Sequence, residues 1–327
     1  MQRPSIRQLE YLVAVADALH FGRAARHCAV TQPALSAQVR QVEELLGVRV
    51  FERGRRRVLV TSAGAGIIAQ ARRALACVDD LVATAQQAGR PLEGPLRLGV
   101  IPTVAPYFLP AALPRVRRAH PRLELVLREE QTSRLVEKLE AGALDALLLA
   151  LPVEGAELTE VALYEEPFVF LAPRGHPLAR PETALPESAL EGAEVLLLED
   201  GHCLRSQALD VCRRAGAVAD DRIQATSMST LVQMVANGLG VTLVPERAVA
   251  LEVRPGSGLV TRPFRAPPPT RTIGLAWRSR SPRDAELRLL AETLAGATGA
   301  PRSRTRAGRS AQPRASQRAR ASAKDEA

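Results

Sequence analysis

The chain has 327 residues, 46% of them hydrophobic but only 3% aromatic, with a formal net charge of +9. That length allows two or three domains whose cores are built from Leu, Val and Ala. No apolar run approaches the roughly 20 residues that span a bilayer, and Glu10 and Asp17 interrupt the first apolar stretch. A membrane protein and a secretory signal peptide are therefore both unexpected, and the expected location is the cytoplasm, where thiols stay reduced. Cys28, Cys77, Cys203 and Cys212 then do not form a secretory disulfide framework. Charge is uneven: residues 1–66 hold ten arginines against five acids, and residues 301–327 hold eight basic residues against two acidic ones. A basic head suggests a polyanionic partner, although charge alone serves solubility equally well.

Ile6, Leu9, Val13 and Ala16 recur at helical spacing, which predicts an apolar face of a first helix. A second, short helix is expected over 21–28. Thr31 is placed to cap a third, Pro33 suits its first turn, Leu35, Val39, Val42 and Leu46 form its apolar stripe, and Gly47 ends it. This order fits a helix-turn-helix or an ordinary helix pair followed by another helix. Gln32, Ser36, Gln38 and Arg40 lie on its polar side or start, where amides and a guanidinium can read base edges. Residues 49–60, with Arg53, Arg55 and Arg56, look like a β-hairpin wing whose cationic tip would neutralise phosphates.

Several stretches here carry a family resemblance. They are Arg23-Ala24-Ala25, Val30-Thr31-Gln32-Pro33-Ala34-Leu35-Ser36, Glu43-Glu44-Leu45-Leu46-Gly47, Phe51-Glu52-Arg53 and Thr61-Ser62-Ala63-Gly64. Together they resemble the winged helix-turn-helix of LysR-type regulators. The resemblance implies double-stranded DNA with a pseudo-palindromic operator as partner, a homodimer or homotetramer, and RNA polymerase as a further partner. Cys28, on the second helix, is expected to pack in the core.

Ile68, Ala71, Leu75, Val78 and Val82 then repeat at spacings of three and four. Such a heptad-like stripe packs on its own domain or on a second chain; the resemblance implies the second chain. Gly89 to Pro95 breaks this linker helix. The expected organisation is a winged helix-turn-helix domain over 1–64, a linker helix over 65–90, a two-lobed body over 95–298 and a tail over 301–327. In the body, apolar strands starting at Leu96, Leu123, Asp145, Phe168, Val195, Ile223, Val241 and Thr272 alternate with helical stretches. That is a βαβ pattern and predicts Rossmann-like α/β lobes. The resemblance implies a periplasmic-binding-protein-like pair of lobes, with the chain crossing near residue 165 and returning near residue 265.

The stretch Leu198-Glu199-Asp200-Gly201-His202-Cys203, with Cys212 following, resembles the peroxide-sensing branch of the same family. The likeness continues through Gly240-Val241-Thr242-Leu243-Val244-Pro245 and Arg271-Thr272-Ile273-Gly274-Leu275; Arg213-Arg214, just after the second cysteine, departs from it. The resemblance implies that hydrogen peroxide oxidises Cys203, that Cys212 then bonds to it, and that Thr103, Thr132, His202 and Arg271 line the peroxide pocket. Independently, Cys203 is placed where a helix begins, and a helix N-terminus favours anionic sulfur. Nearby His202, Arg205 and Arg271 would add positive potential. Thr103 and Thr132 both precede helical runs, so helix capping is the plain alternative for them. Positions 203 and 212 on one helix lie about 13–14 Å apart, whereas a disulfide needs Cα atoms within roughly 7 Å. The oxidised state would therefore have to rebuild this segment.

The tail is too polar to offset its ordering entropy and is expected to be disordered, either adding DNA affinity or inert. No metal site or cofactor is expected, and with no CxxC an enzyme is not expected either. A regulator answering an organic metabolite in the cleft remains open at this stage.

Overall fold

The computed structural model describes residues 3–53, 58–86, 91–153, 157–180 and 183–297. The head comprises α1 (Ile6–Ala18), α2 (Phe21–His27) and α3 (Gln32–Leu46), followed by β1 (Phe51–Arg53) and β2 (Val58–Val60). Ser5 and Gln8 form a capping box on α1 and Thr31 caps α3, so each helix starts where its side chains can satisfy orphan N–H groups. β1 and β2 pair antiparallel, Phe51 opposite Val60, as a wing. Its tip, with Arg55 and Arg56, lies outside the described residues. Leu12, Val15, Leu35, Val39, Val42 and Phe51 close the head's core. The Glu43 carboxylate accepts from Val50 N (2.8 Å) and Phe51 N (3.0 Å), which locks α3 to the wing.

α1 presents a different face from the one its spacing predicts. Tyr11, Leu12, Ala14 and Val15 are buried, whereas Ile6 is exposed and Leu9, Val13 and Ala16 are half-buried. The helix is apolar nearly all round, so periodicity alone does not choose the stripe that meets α3. α4 (Ser62–Gln86) follows directly. Thr61 and Gly64 make that junction: a Cβ at Gly64 would sit 2.3 Å from the Val50 carbonyl oxygen, so only glycine lets α4 start against the wing.

The body begins with β3 (Gly94–Val100), α5 (Ala105–Ala119), β4 (Leu123–Glu129), α6 (Thr132–Glu140) and β5 (Ala146–Leu151). β3 pairs parallel with both β4 and β5. Next come the 16-residue strand β6 (Leu158–Pro173), β7 (Glu194–Leu198), α7 (Cys203–Ala215) and β8 (Val218–Ala225). α8 (Met228–Ala236), β9 (Thr242–Pro245), α9 (Glu246–Glu252), β10 (Leu259–Pro263), β11 (Thr270–Arg278) and α10 (Asp284–Ala295) complete it.

β6 serves both lobes. Its first part, Leu158 to Pro167, pairs antiparallel with β11 in the first lobe, and its remainder pairs with β9 and β10 in the second. The chain therefore crosses at 167/168 and returns between β10 and β11, near both positions expected. Each lobe has its own core: Phe108, Leu147, Leu148, Ile273 and Trp277 in the first, and Phe168, Phe170, Leu197, Val211 and Leu243 in the second. No described helix is long and apolar enough to cross a membrane.

Candidate functional site

On the head, Thr31, Gln32, Pro33 and Arg40 are exposed and Ser36 is half-buried, all at the start or polar side of α3. Gln38 is partly committed elsewhere, because its side-chain oxygen accepts from Gln8 Nε2 on α1 (3.0 Å). Arg53 closes β1, but its side chain, like Arg55 and Arg56, lies outside the described residues. Cys28 caps the C-terminus of α2, half-buried against the head core, and burial raises its pKa. Cys77 is exposed on α4.

The α4 stripe divides. Ile68 and Ala71 are already buried within the single chain, Ile68 in the head core. Leu75 and Val78 are half-buried, and Val82, with Leu81 beside it, is exposed. A groove between α1, the end of α2 and α4 is lined by Val13, Ala14, Cys28 and Leu75 together with the polar Arg7, Glu10, Asp17 and His27. The half of the stripe that remains for a partner is thus Leu75 to Val82.

In the body, Cys203 is the first residue of α7 and His202 its N-cap. Gly201 makes the preceding corner at φ +95°, a conformation open to glycine, with its α-carbon pressed against the Gln131 side chain of the first lobe. Cys203 is half-buried and packs on the first lobe's core, although α7 belongs to the second lobe. Cys212 lies in the second lobe's core, 2% exposed, and burial pushes its thiol up to about 11. All four cysteines are free thiols.

Two side-chain networks hold the remaining candidate residues, the first buried and the second partly buried. Arg271, on β11, donates through Nε to Glu166 Oε2 (2.8 Å), through Nη1 to Thr103 Oγ1 (3.1 Å) and through Nη2 to the Thr103 carbonyl (2.8 Å). Glu166 and Arg271 face each other across β6 and β11, one residue from the point where β6 leaves the first lobe. The Thr103 hydroxyl accepts from Arg271, so its own O–H remains able to donate. In the second network, Gln131 Nε2 lies 2.7 Å from Glu199 Oε1 and 3.4 Å from His202 Nε2. Burial lowers the pKa of His202, partly opposed by Glu199 and by a hydrogen bond to the Thr226 backbone.

Three sequence expectations change. Neither Thr103 nor Thr132 caps a helix: Val104 and Gln131 hold the N-cap positions and neither helix has a side-chain cap. The Thr132 hydroxyl is instead buried without a hydrogen-bond partner, an arrangement that costs free energy unless a guest supplies one. The expected positive field around Cys203 is also largely compensated. Arg271 is paired with Glu166, Arg205 with Asp200 (2.9 Å), and burial favours neutral His202. Glu166 and Gln131 carry no sequence signal beyond a carboxylate inside an apolar run and a glutamine beside Thr132, and Glu199 lies within the Leu198–Cys203 stretch without a role assigned to it.

A winged helix-turn-helix joined by one helix to two α/β lobes that share a crossing strand defines a class of bacterial regulator. Residues 6–65 match the bacterial regulatory helix-turn-helix protein, lysR family, and residues 89–299 match the LysR substrate binding domain; the chain belongs to the LysR family. It is 46% identical over 290 residues to the DNA-binding transcriptional dual regulator OxyR of Escherichia coli (strain K12), spanning 89% of this chain and 94% of that protein. It is 46% identical over 297 residues to a probable hydrogen peroxide-inducible genes activator of Streptomyces viridosporus, spanning 90% and 95%. A full-length OxyR variant from Pseudomonas aeruginosa superposes with a TM-score of 0.74 at 36% identity, covering 90% of this chain and 95% of that one. A hydrogen-peroxide-bound OxyR mutant from Corynebacterium glutamicum gives 0.61 at 39% identity, covering 90% and 93%.

Proposed function

We propose that this chain is a cytoplasmic, non-enzymatic transcription regulator that senses hydrogen peroxide through Cys203 and answers by a reversible Cys203–Cys212 disulfide. The observation that carries this reading is the placement of the two sulfurs. Both belong to α7, but Cys203 starts it against the first lobe and Cys212 sits in the core of the second. The helix between them rises about 13–14 Å, so the disulfide forms only if α7 is rebuilt. The similar peroxide-inducible activators support the same signal.

In this mechanism the Cys203 thiolate attacks one peroxide oxygen. The S–O bond forms as the O–O bond breaks, and the departing hydroxide takes a proton and leaves as water. The hydroxyls of Thr103 and Thr132 orient the peroxide, Arg271 holds Thr103, and His202 fixes the corner. The Cys212 thiolate then attacks the sulfenic sulfur; the S–S bond forms and the hydroxyl leaves, protonated, as a second water. Domain 1–64 reads a pseudo-palindromic operator in double-stranded DNA through Thr31, Gln32, Pro33, Ser36, Gln38 and Arg40. Arg53, Arg55 and Arg56 meet phosphates. The linker helix, 65–90, pairs two chains through Leu75, Val78 and Val82, Ile68 and Ala71 being already buried within each chain; pairs of dimers form tetramers, and RNA polymerase is the downstream partner. The body, 95–298, is the redox-sensing unit.

Peptide mass spectrometry after a sub-stoichiometric peroxide pulse, with free thiols trapped, tests this. A Cys203–Cys212 link that a dithiol reverses, together with an altered DNA footprint, is expected. Both thiols remaining free while Cys28 or Cys77 is modified would overturn it in favour of a metabolite-responsive regulator.

A further inference from the structure

The Gln131 side chain reaches the Gly201-His202-Cys203 corner from the opposite lobe. An ionised carboxylate only accepts hydrogen bonds, so the Gln131 atom 2.7 Å from Glu199 Oε1 is its amide nitrogen. The amide oxygen then lies on the Gly201 side, 2.8 Å from where a Cβ of residue 201 would stand. The second amide hydrogen is left for His202 Nε2, 3.4 Å away. An imidazole nitrogen that accepts carries no proton, so the ring's proton belongs on Nδ1, matching the ring's hydrogen bond to the Thr226 backbone. Glu199, 3.9 Å from Nε2, is the ionisable group nearest the ring.

Building on the peroxide-sensing reading, we propose that Gln131 is a positioning residue for the Cys203 reaction. From the first lobe it fixes His202 as the Nδ1–H tautomer and thereby the corner that aims the sulfur. His202 acts here as a clamp with both ring nitrogens committed, and the proton for the departing hydroxide comes from a hydroxyl or from solvent. Gln131 acts through the His202 ring.

The test uses the full chain with Gln131→Leu and Gln131→Glu. Leucine removes the donor at similar bulk. Glutamate replaces a donor with an acceptor, so Nε2 must carry a proton to meet it while Nδ1 keeps its own for the Thr226 backbone, and the ring is drawn to imidazolium. Two readouts are taken: the rate of Cys203 oxidation by hydrogen peroxide, and the tautomer of His202 from 15N shifts of histidine-labelled protein, assigned by loss of the signal in His202→Asn. Trp277 fluorescence reports folding of the first lobe.

Wild type should show the Nδ1–H signature. Gln131→Leu should lose the fixed signature and Gln131→Glu should replace it with that of the doubly protonated ring, each slowing oxidation roughly 100-fold, the scale of a misplaced reacting group. Wild-type oxidation rates in both variants, or slowed oxidation with the signature unmoved, would overturn the proposal while leaving peroxide sensing intact. A wild-type Cys203 that does not react with peroxide would instead sink the peroxide reading, and this proposal with it.

Discussion

The buried pair Glu166–Arg271 sets a measurable demand on the hinge. Both side chains are nearly inaccessible, at 3% and 1% exposure, so removing one partner strands the other charge away from water. Glu166→Gln should therefore cost about 3–5 kcal/mol. Arg271→Met should cost a similar amount, because it leaves the Glu166 carboxylate alone and deprives the Thr103 carbonyl of its donor. The double variant Glu166→Leu/Arg271→Met buries no charge. Its remaining defect is the unpaired Thr103 carbonyl, worth about 1–3 kcal/mol. The two substitutions should thus be strongly non-additive, the double variant being more stable than either single one. Urea unfolding followed by Trp277, the chain's one tryptophan and fully buried on β11, reports this directly. Protein concentration is held fixed because assembly contributes to apparent stability. Additive costs, or a single variant with the wild-type midpoint, would show that the pair is not isolated from solvent and refute the reasoning.

Cys212 should make stability fall at high pH. Its folded pKa of about 11 stands above the ordinary 9.0, so its contribution is complete below about 9 and lost as pH rises towards 11; the wild type should therefore lose stability over this window relative to Cys212→Ala. Gln32→Ala or Ser36→Ala should cost on the order of 1–3 kcal/mol at specific operators; unchanged sequence preference would remove α3 as the reading helix. Arg55→Ala should weaken binding evenly across sequences and flatten the salt dependence of binding by about one unit, which a salt titration of the affinity checks. Leu75→Glu with Val82→Glu should yield monomers in sedimentation, and an unaltered oligomer would place the interface elsewhere.

The sequence patterns that proved legible were those with local causes. Thr31, Pro33 and Gly47 mark α3 because caps and turns act within a few residues. β5, β7 and β9 were visible because they are buried along nearly their whole length and their apolar runs are continuous. The first part of β6 escaped notice because it alternates with Thr159, Glu160, Glu165 and Glu166 and takes its meaning only from β11, more than 100 residues later. The same distance hid the site's second half. Cys203, His202 and Cys212 share one motif, but Gln131 meets Glu199 from 68 residues away and Arg271 meets Glu166 from 105. Capping seemed natural for Thr103 and Thr132 because both precede helices. Arg271 engages the first hydroxyl, and the tertiary fold buries the second without a partner.

In the proposed mechanism, the switch in α7 rests on the unequal way in which the helix is held. Leu204, Ala208, Val211 and Cys212 bury one face in the second lobe, and burial of a Leu or Val side chain stabilises by about 1.5–3 kcal/mol each. Those contacts keep the thiols apart in the state described here, and thermal motion alone does not bring Cys212 out of that core. A covalent bond can, because it converts a costly encounter into a permanent one. The rebuilding lies beside the frame: β7 pairs with β8 and is bridged to the chain entering β9 through Val195 and Val241, while the crossing strand β6 pairs with β9, β10 and β11. Segment 203–212 can therefore refold while the frame of both lobes stays in register. Because Cys203 also packs on the first lobe, and Gln131 grips the corner before it, any such refolding must change the contact between lobes. A local reaction at one sulfur is thereby converted into a displacement that a pair of DNA-binding heads can register.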